Sequence, residues 1–234
     1  MTLGAAVLVW SASDGLAWPA RLLIVILLAV LPALSVAQAE SVGIEVADLP
    51  RLPVYLSSAA ALWFLGLLAF GAGVTSGFDL ATLGLVRLPA ASLTAWTLTA
   101  LLGTLVLAAL WRMLGVRESA VLLQLLPRTP VERVVFVGLS LSAGVAEELV
   151  FRGFLIPALG VATGHLWIAV ALAAAVFGVL HAYQNLAGAV RAALLGLVLT
   201  VPLLVTGSVV PSMLAHFLYD VVVGLWLADW LVRR

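Results

Sequence analysis

The sequence predicts an all-α fold, a polytopic transmembrane helical bundle of 7 to 8 spans that encloses a polar cluster. Three observations predict it. Of the 234 residues 65% are apolar and only 9% charged, with a mean hydropathy of +1.25, far outside the range of soluble domains. The apolar residues gather in seven long runs, each close to the roughly 20 residues that a helix needs to cross a bilayer. The few ionisable residues inside those runs concentrate in three of them.

The runs are 18–39, 54–75, 91–111, 134–157, 165–183, 187–206 and 209–231. Trp18, Trp111, Trp167, Trp226 and Trp230 fall near their ends, where amphipathic rings suit the headgroup level. Trp63 and Trp96 lie deeper and read as packing residues. Arg21, the run "LLIVILLAVLPAL" and "VAQA" before Glu40 have the pattern of a cleavable signal peptide, but a first span is the preferred reading. Residues 2–10, "TLGAAVLVW", are apolar but too short to span alone, and read as a half-inserted helix or the stub of an eighth span. Residues 78–89 and 118–133 mix apolar side chains with charges and prolines, so they are expected along the membrane surface. No repeat, low-complexity tract or linker divides the chain, and 1–234 is expected to be one integral membrane domain.

Charge and composition exclude several functions. A formal net charge of zero gives no reason to expect a nucleic-acid partner. The absence of cysteine excludes disulfides, thiolate metal sites and thiol nucleophiles. Every basic residue is arginine, which reads as codon bias and hints at a bacterial source. Between spans, Arg51, Arg112, Arg117, Arg128, Arg133, Arg191, Arg233 and Arg234 fall on one side, against Arg21 and Arg87 on the other. The excess makes the first side cytoplasmic, and with it the C-terminus, in what is expected to be a bacterial inner membrane.

The polar residues inside the runs are Glu147, Glu148, Arg152, His181, His216 and Asp220, with Gln184 and Asn185 at a run's end. Each ionisable group at membrane depth costs about 2.5 kcal/mol or more, so facing one another or water is far cheaper than facing lipid. Glu148 and Arg152 are four residues apart on one helix face, where carboxylate and guanidinium neutralise each other. Glu147 lies about 100° around the helix with Phe151 at its own i+4 position. Without a cation on its face it keeps the basicity of a general base, while Glu148 and Arg152 read as scaffold. Phe177 stacks one turn before His181, and His216 one turn before Asp220, so that the acid can orient the imidazole or share a ligand with it. His165, beside Trp167, reads as interfacial. A buried ion-pair cluster that only holds helices together would use the same residue types.

"EELVFR" (147–152), "FGVLH" (177–181) and "HFLYD" (216–220) resemble the EExxxR, FxxxH and HxxxN/D motifs of the CPBP family of intramembrane proteases. That family is also called the CAAX protease and bacteriocin-processing (Abi) family. The resemblance covers about residues 134–225, a catalytic core within the single domain. It implies a glutamic-type endopeptidase that hydrolyses a peptide bond of a membrane-associated peptide or protein, a C-terminal tail among the options, in or beside the lipid bilayer. Glu147 with His181 would activate the attacking water, His216 with Asp220 would stabilise the oxyanion, and Glu148 and Arg152 would brace Glu147, with Phe177 in support. A base near the water and a donor where negative charge develops are what attack on a carbonyl needs.

Position 220 is Asp where eukaryotic members of that family have Asn. An ionised carboxylate would repel an oxyanion, so Asp220 is protonated, orients His216 or ligates a metal, and orientation of His216 is favoured. Zinc on Glu147, His181, His216 and Asp220 is the alternative to a site without cofactor, but there is no HExxH and the ligands would come from three helices. Two readings from other classes remain: a proton-coupled transporter, and a non-catalytic partner such as a bacteriocin-immunity protein. Depth raises a conflict. Glu147 stands 13 residues, about 20 Å, into its run, while His181 ends the next one, so straight helices with these bounds could not bring them together. Either the fourth span starts later than 134 or it bends, for which Gly138, Gly144 and Gly153 are available.

Overall fold

A computed structural model of the chain describes residues 10–41, 50–116 and 119–227. Each of the seven apolar runs is helical over most of its described residues. The first, α1, runs Trp18–Val25, passes through a π-helical stretch at Ile26–Val30 and continues as Leu31–Ser41. Next come α2 (Arg51–Thr75), α3 (Ala90–Met113) and a short α4 (Ala120–Gln124). The fourth run forms α5, which is Pro130–Glu148 followed by a π-helical stretch Leu149–Leu155 and a last segment Ile156–Thr163. Then α6 (Leu166–Leu180), a 3-10 turn (Ala182–Gln184), α7 (Asn185–Thr206) and α8 (Val210–Leu225) complete the described chain. No strand occurs among the described residues. Five helices are long and apolar enough to cross a membrane, while α6 and α8, with 15 and 16 residues, are shorter apolar helices. Residues 2–9, Glu40 as a side chain, Arg117, Trp230, Arg233 and Arg234 lie outside the described residues.

The two π-helical stretches share a cause. Each ends two residues before a proline, at Val30 before Pro32 and at Leu155 before Pro157. The backbone N–H of Leu31 reaches Ile26 O and that of Ile156 reaches Phe151 O, five residues back in both cases. A proline has no N–H and its ring clashes with the carbonyl four residues earlier, so a widened turn lets the helix continue past it. In α5 the later start offered for the depth conflict does not occur. The helix begins at Pro130, earlier than expected, and the wide turn falls on the motif itself.

Packing relies on small residues, as it must where lipid removes the hydrophobic drive between helices. A Cβ on Gly144 of α5 would stand 2.7 Å from Met213 O and 2.8 Å from Phe217 N, so α8 lies directly on α5 at this point. Likewise a Cβ on Gly178 of α6 would meet Ala189 O of α7 at 2.6 Å. Gly138, by contrast, has nothing within 4 Å and makes no close approach. The core gathers around the wide turn of α5, where Phe151, Phe154 and Leu155 are buried with Ile24 and Leu27 of α1 and Phe177 of α6. Ser35 of α1 donates to Val179 O and Leu180 O, the unpaired carbonyls at the end of α6.

Two surface expectations need correction. Residues 78–89 are a non-helical loop that tucks into the bundle: Leu83 is fully buried, and Gly84 O and Val86 O accept from Val209 N and the Ser208 hydroxyl. In 118–133 only Ala120–Gln124 is helical among the described residues before α5 starts. Arg51 donates to Gln124 O at 2.7 Å and the Tyr55 hydroxyl to Leu125 O, which ties this stretch to α2. Arg191, counted above as a loop arginine, sits in the first half of α7 and is buried. Hydropathy alone cannot separate an arginine near a helix end from one turned inward.

Candidate active site

Local sequence places the first half of the site. Thr129 and Glu132 form a capping box at the start of α5, with Pro130 in its first turn. From there the helix runs unbroken to the two glutamates at its junction with the wide turn. The adjacent carboxylates turn to different surroundings. The Glu148 side chain is wholly buried, and that of Glu147 keeps 17% of its surface and lines a cavity.

Around Glu148 the contacts are short. Its Oε1 accepts from Arg152 Nη1 at 3.0 Å and from His216 Nδ1 at 2.9 Å. Arg152 spends its other donors on Gly196 O at 2.8 Å and Thr200 Oγ1 at 3.4 Å, and its guanidinium lies 4.9 Å from the centre of the Phe177 ring. Gly196 is required here, because a Cβ would come within 3.1 Å of Arg152 Nη2. The expected i,i+4 ion pair is therefore present, but what it braces is His216 rather than Glu147. Orientation of His216, assigned above to Asp220, comes from Glu148, since Asp220 Oδ2 stays 3.8 Å from the other ring nitrogen.

The cavity side is looser. His216 Nε2 faces Glu147 Oε2 at 4.0 Å and Asp220 Oδ2 at 3.8 Å. His181, just past the end of α6, lies 2.7 Å through Nδ1 from Phe177 O. A carbonyl only accepts, so Nδ1 carries the proton and Nε2 is left with a lone pair. Phe177 stands between the imidazoles, 4.6 Å from His181 and 6.4 Å from His216 between ring centres. Among the described residues no pair within 4 Å joins Glu147 to His181; Glu147, His181, His216 and Asp220 open on one cavity of about 520 Å³. Its remaining wall is largely apolar, from α2, α5 and the stretch around α4.

Sequence reasoning missed Arg191, and it passed over Gln184 and Tyr183. Arg191 Nη2 donates to Gln184 Oε1 at 3.2 Å, Gln184 Nε2 donates to the Tyr183 hydroxyl at 3.0 Å, and all three line the cavity. The available signal was spacing: residues 184 and 191 are seven apart, two helical turns, in a stretch with no other charge. The turn between them holds Asn185 at φ 78°, where its side chain accepts from Gly188 N at 3.0 Å. A non-glycine residue in that region is strained by about 1–3 kcal/mol, and such strain gathers at functional turns.

Among the described residues no group of three or more His, Asp or Glu side chains is placed to hold a metal ion. One nitrogen of His216 is already committed to Glu148, while the other stands 3.8 Å from Asp220 and 4.0 Å from Glu147.

No curated protein and no solved structure matched the chain. Residues 129–222 match the family described as type II CAAX prenyl endopeptidase, Rce1-like. The match takes in Glu147, Glu148, Arg152, Phe177, His181, His216 and Asp220, and leaves α1 to α4 outside it. Five spanning-length apolar helices among the described residues, together with that match, make this an integral membrane protein whose residues 129–222 are similar to the Rce1-like family of peptidases.

Proposed function

We propose that the protein is a glutamic-type intramembrane endopeptidase that cleaves a membrane-associated peptide or protein. The observation that carries this reading is the convergence of Glu147, His181, His216 and Asp220 on one largely apolar cavity. In this reading Glu147 takes the proton of a water, with the lone pair of His181 Nε2 helping to hold that water. His216, held by Glu148 through Nδ1, acts as an imidazolium and presents its Nε2–H where negative charge develops on the substrate carbonyl. No covalent intermediate is needed. Substrate enters from the lipid or its surface as an extended segment, with a C-terminal tail as one suitable form. The whole chain, 1–234, works as one membrane domain in which α6 and α8 complete seven spans and 134–225 is the catalytic core. A bacterial inner membrane with a cytoplasmic C-terminus suits the arginine bias, which keeps its direction with Arg191 removed.

Comparison of membrane peptides from cells carrying the wild type or Glu147→Gln tests the proposal. Peptides that accumulate uncleaved in the variant identify the substrate. A variant that cleaves as the wild type does removes Glu147 as the base, and transport without any cleavage supports the transporter reading.

A further inference from the structure

We propose that Asp220 enters the reaction as a neutral carboxylic acid and donates its proton to the carbonyl oxygen of the scissile bond, opposite Glu147 as base. The inference rests on the endopeptidase reading and names what position 220 does within it. Asp220 Oδ2 and Glu147 Oε2 flank the same nitrogen, His216 Nε2, at 3.8 and 4.0 Å, from two different helices. These two oxygens are therefore within about 8 Å of each other at one cavity. Neither is close enough to His216 Nε2 for a hydrogen bond, so neither is consumed by it.

The charge balance of the cluster points the same way. It holds three carboxylates, and Arg152 is spent on Glu148 at 3.0 Å, as is the Nδ1 proton of His216 at 2.9 Å. Two carboxylates then face one imidazole in a site of low dielectric, where like charges are not both kept and one proton is shared between them. Placement decides which carboxyl holds it in the reactive state. Asp220 and His216 are one helical turn apart on α8, so both present donors from the same side, and Glu147 faces them from α5. An ionised group beside the donor His216 would repel the charge that His216 is placed to stabilise.

The step balances without any added reagent. Water oxygen bonds to the carbonyl carbon as one of its protons passes to Glu147, and the carbonyl electron pair moves to oxygen, which takes the proton of Asp220. The resulting diol returns that proton to Asp220 as the carbonyl re-forms and the C–N bond breaks. Glu147 gives its proton to the leaving nitrogen, and both carboxyl groups end as they began.

Cleavage measured across pH tests this. Around Asp220 stand His216 on its own helix, Glu147, Glu148 and Arg152 on α5, His181 and Tyr183 at the end of α6, and Arg191 on α7, while α3, packed against α8, carries Arg112 in its last turn as its one charge. The wild type should lose activity as pH rises and Asp220 ionises. Asp220→Asn, which can hydrogen-bond the oxygen but has no proton to transfer, should cleave more slowly than the wild type at low pH and show no alkaline limb. Asp220→Ser, a second non-ionising donor, should lose the same alkaline limb and serves if the Asn protein does not fold. Asp220→Ala should fall by about 100-fold or more at every pH. An alkaline limb at the wild-type position in both Asn and Ser variants overturns the proposal, because the ionising group then lies elsewhere. If Glu147→Gln is inactive in that same series, the endopeptidase reading stands while the role of Asp220 falls; an active Glu147→Gln removes the reading itself.

Discussion

The two glutamates of α5 are neighbours in sequence and occupy opposite kinds of site. Glu148 is fully enclosed, with its Oε1 shared between Arg152 and His216 at 3.0 and 2.9 Å. Among the described residues Glu147 has no ion-pair partner closer than 4.0 Å, and it lines a cavity. One residue of helix, about 100° of rotation, separates a structural carboxylate from one free to react. The difference teaches that the same residue type is held where one oxygen carries two short charge-assisted bonds and is available where no short bond fixes it.

The largest effect should come from the exposed member. Glu147→Gln should reduce cleavage by about 10³-fold, within the usual worth of a general base, with the thermal midpoint in detergent unchanged. A large drop in that midpoint would show Glu147 to be structural as well. Breaking the buried side should instead cost stability. Glu148→Ala leaves the Arg152 guanidinium enclosed without its carboxylate, a loss of about 3–5 kcal/mol by denaturant titration. Equal stability of Glu148→Ala and the wild type would end the division of roles proposed for the pair.

A smaller perturbation acts on the distance between the two sides. Gly144→Ala places a methyl within 2.7 Å of Met213 O and pushes α8, with His216 and Asp220, away from α5. It should destabilise by about 1–3 kcal/mol and lower cleavage more than binding, read as kcat against KM. Unaltered kinetics would mean that the approach of α8 is not critical. The smallest effect is expected far from both glutamates. Thr129→Ala removes one half of the capping box, costs about 1 kcal/mol in thermal stability and leaves cleavage per folded molecule as it was.

Hydropathy made the helices legible. The expected 54–75 and 91–111 correspond to Arg51–Thr75 and Ala90–Met113, because apolar composition and helix length are both written locally in the chain. The same held for Glu148 and Arg152, whose contact follows from i,i+4 geometry alone. The π-helical turns were not foreseen, although Pro32 and Pro157 inside apolar runs carried their signal. Arg191 was placed in a loop because it stands near a helix end, and only burial revealed it as part of the cavity wall.

By itself the sequence determined an all-helical membrane chain, its apolar segments, and the six ionisable residues that had to find partners inside it. Those follow from the cost of placing charge in hydrocarbon and from the helical repeat, which act over a few residues. Tertiary structure alone decided who the partners are. Glu148 and His216 are separated by 68 positions in the chain, and nothing in either motif says that they meet. They meet because Gly144 lets α8 lie against α5, so the assignment of Glu148 to His216 belongs to helix packing and not to local pattern.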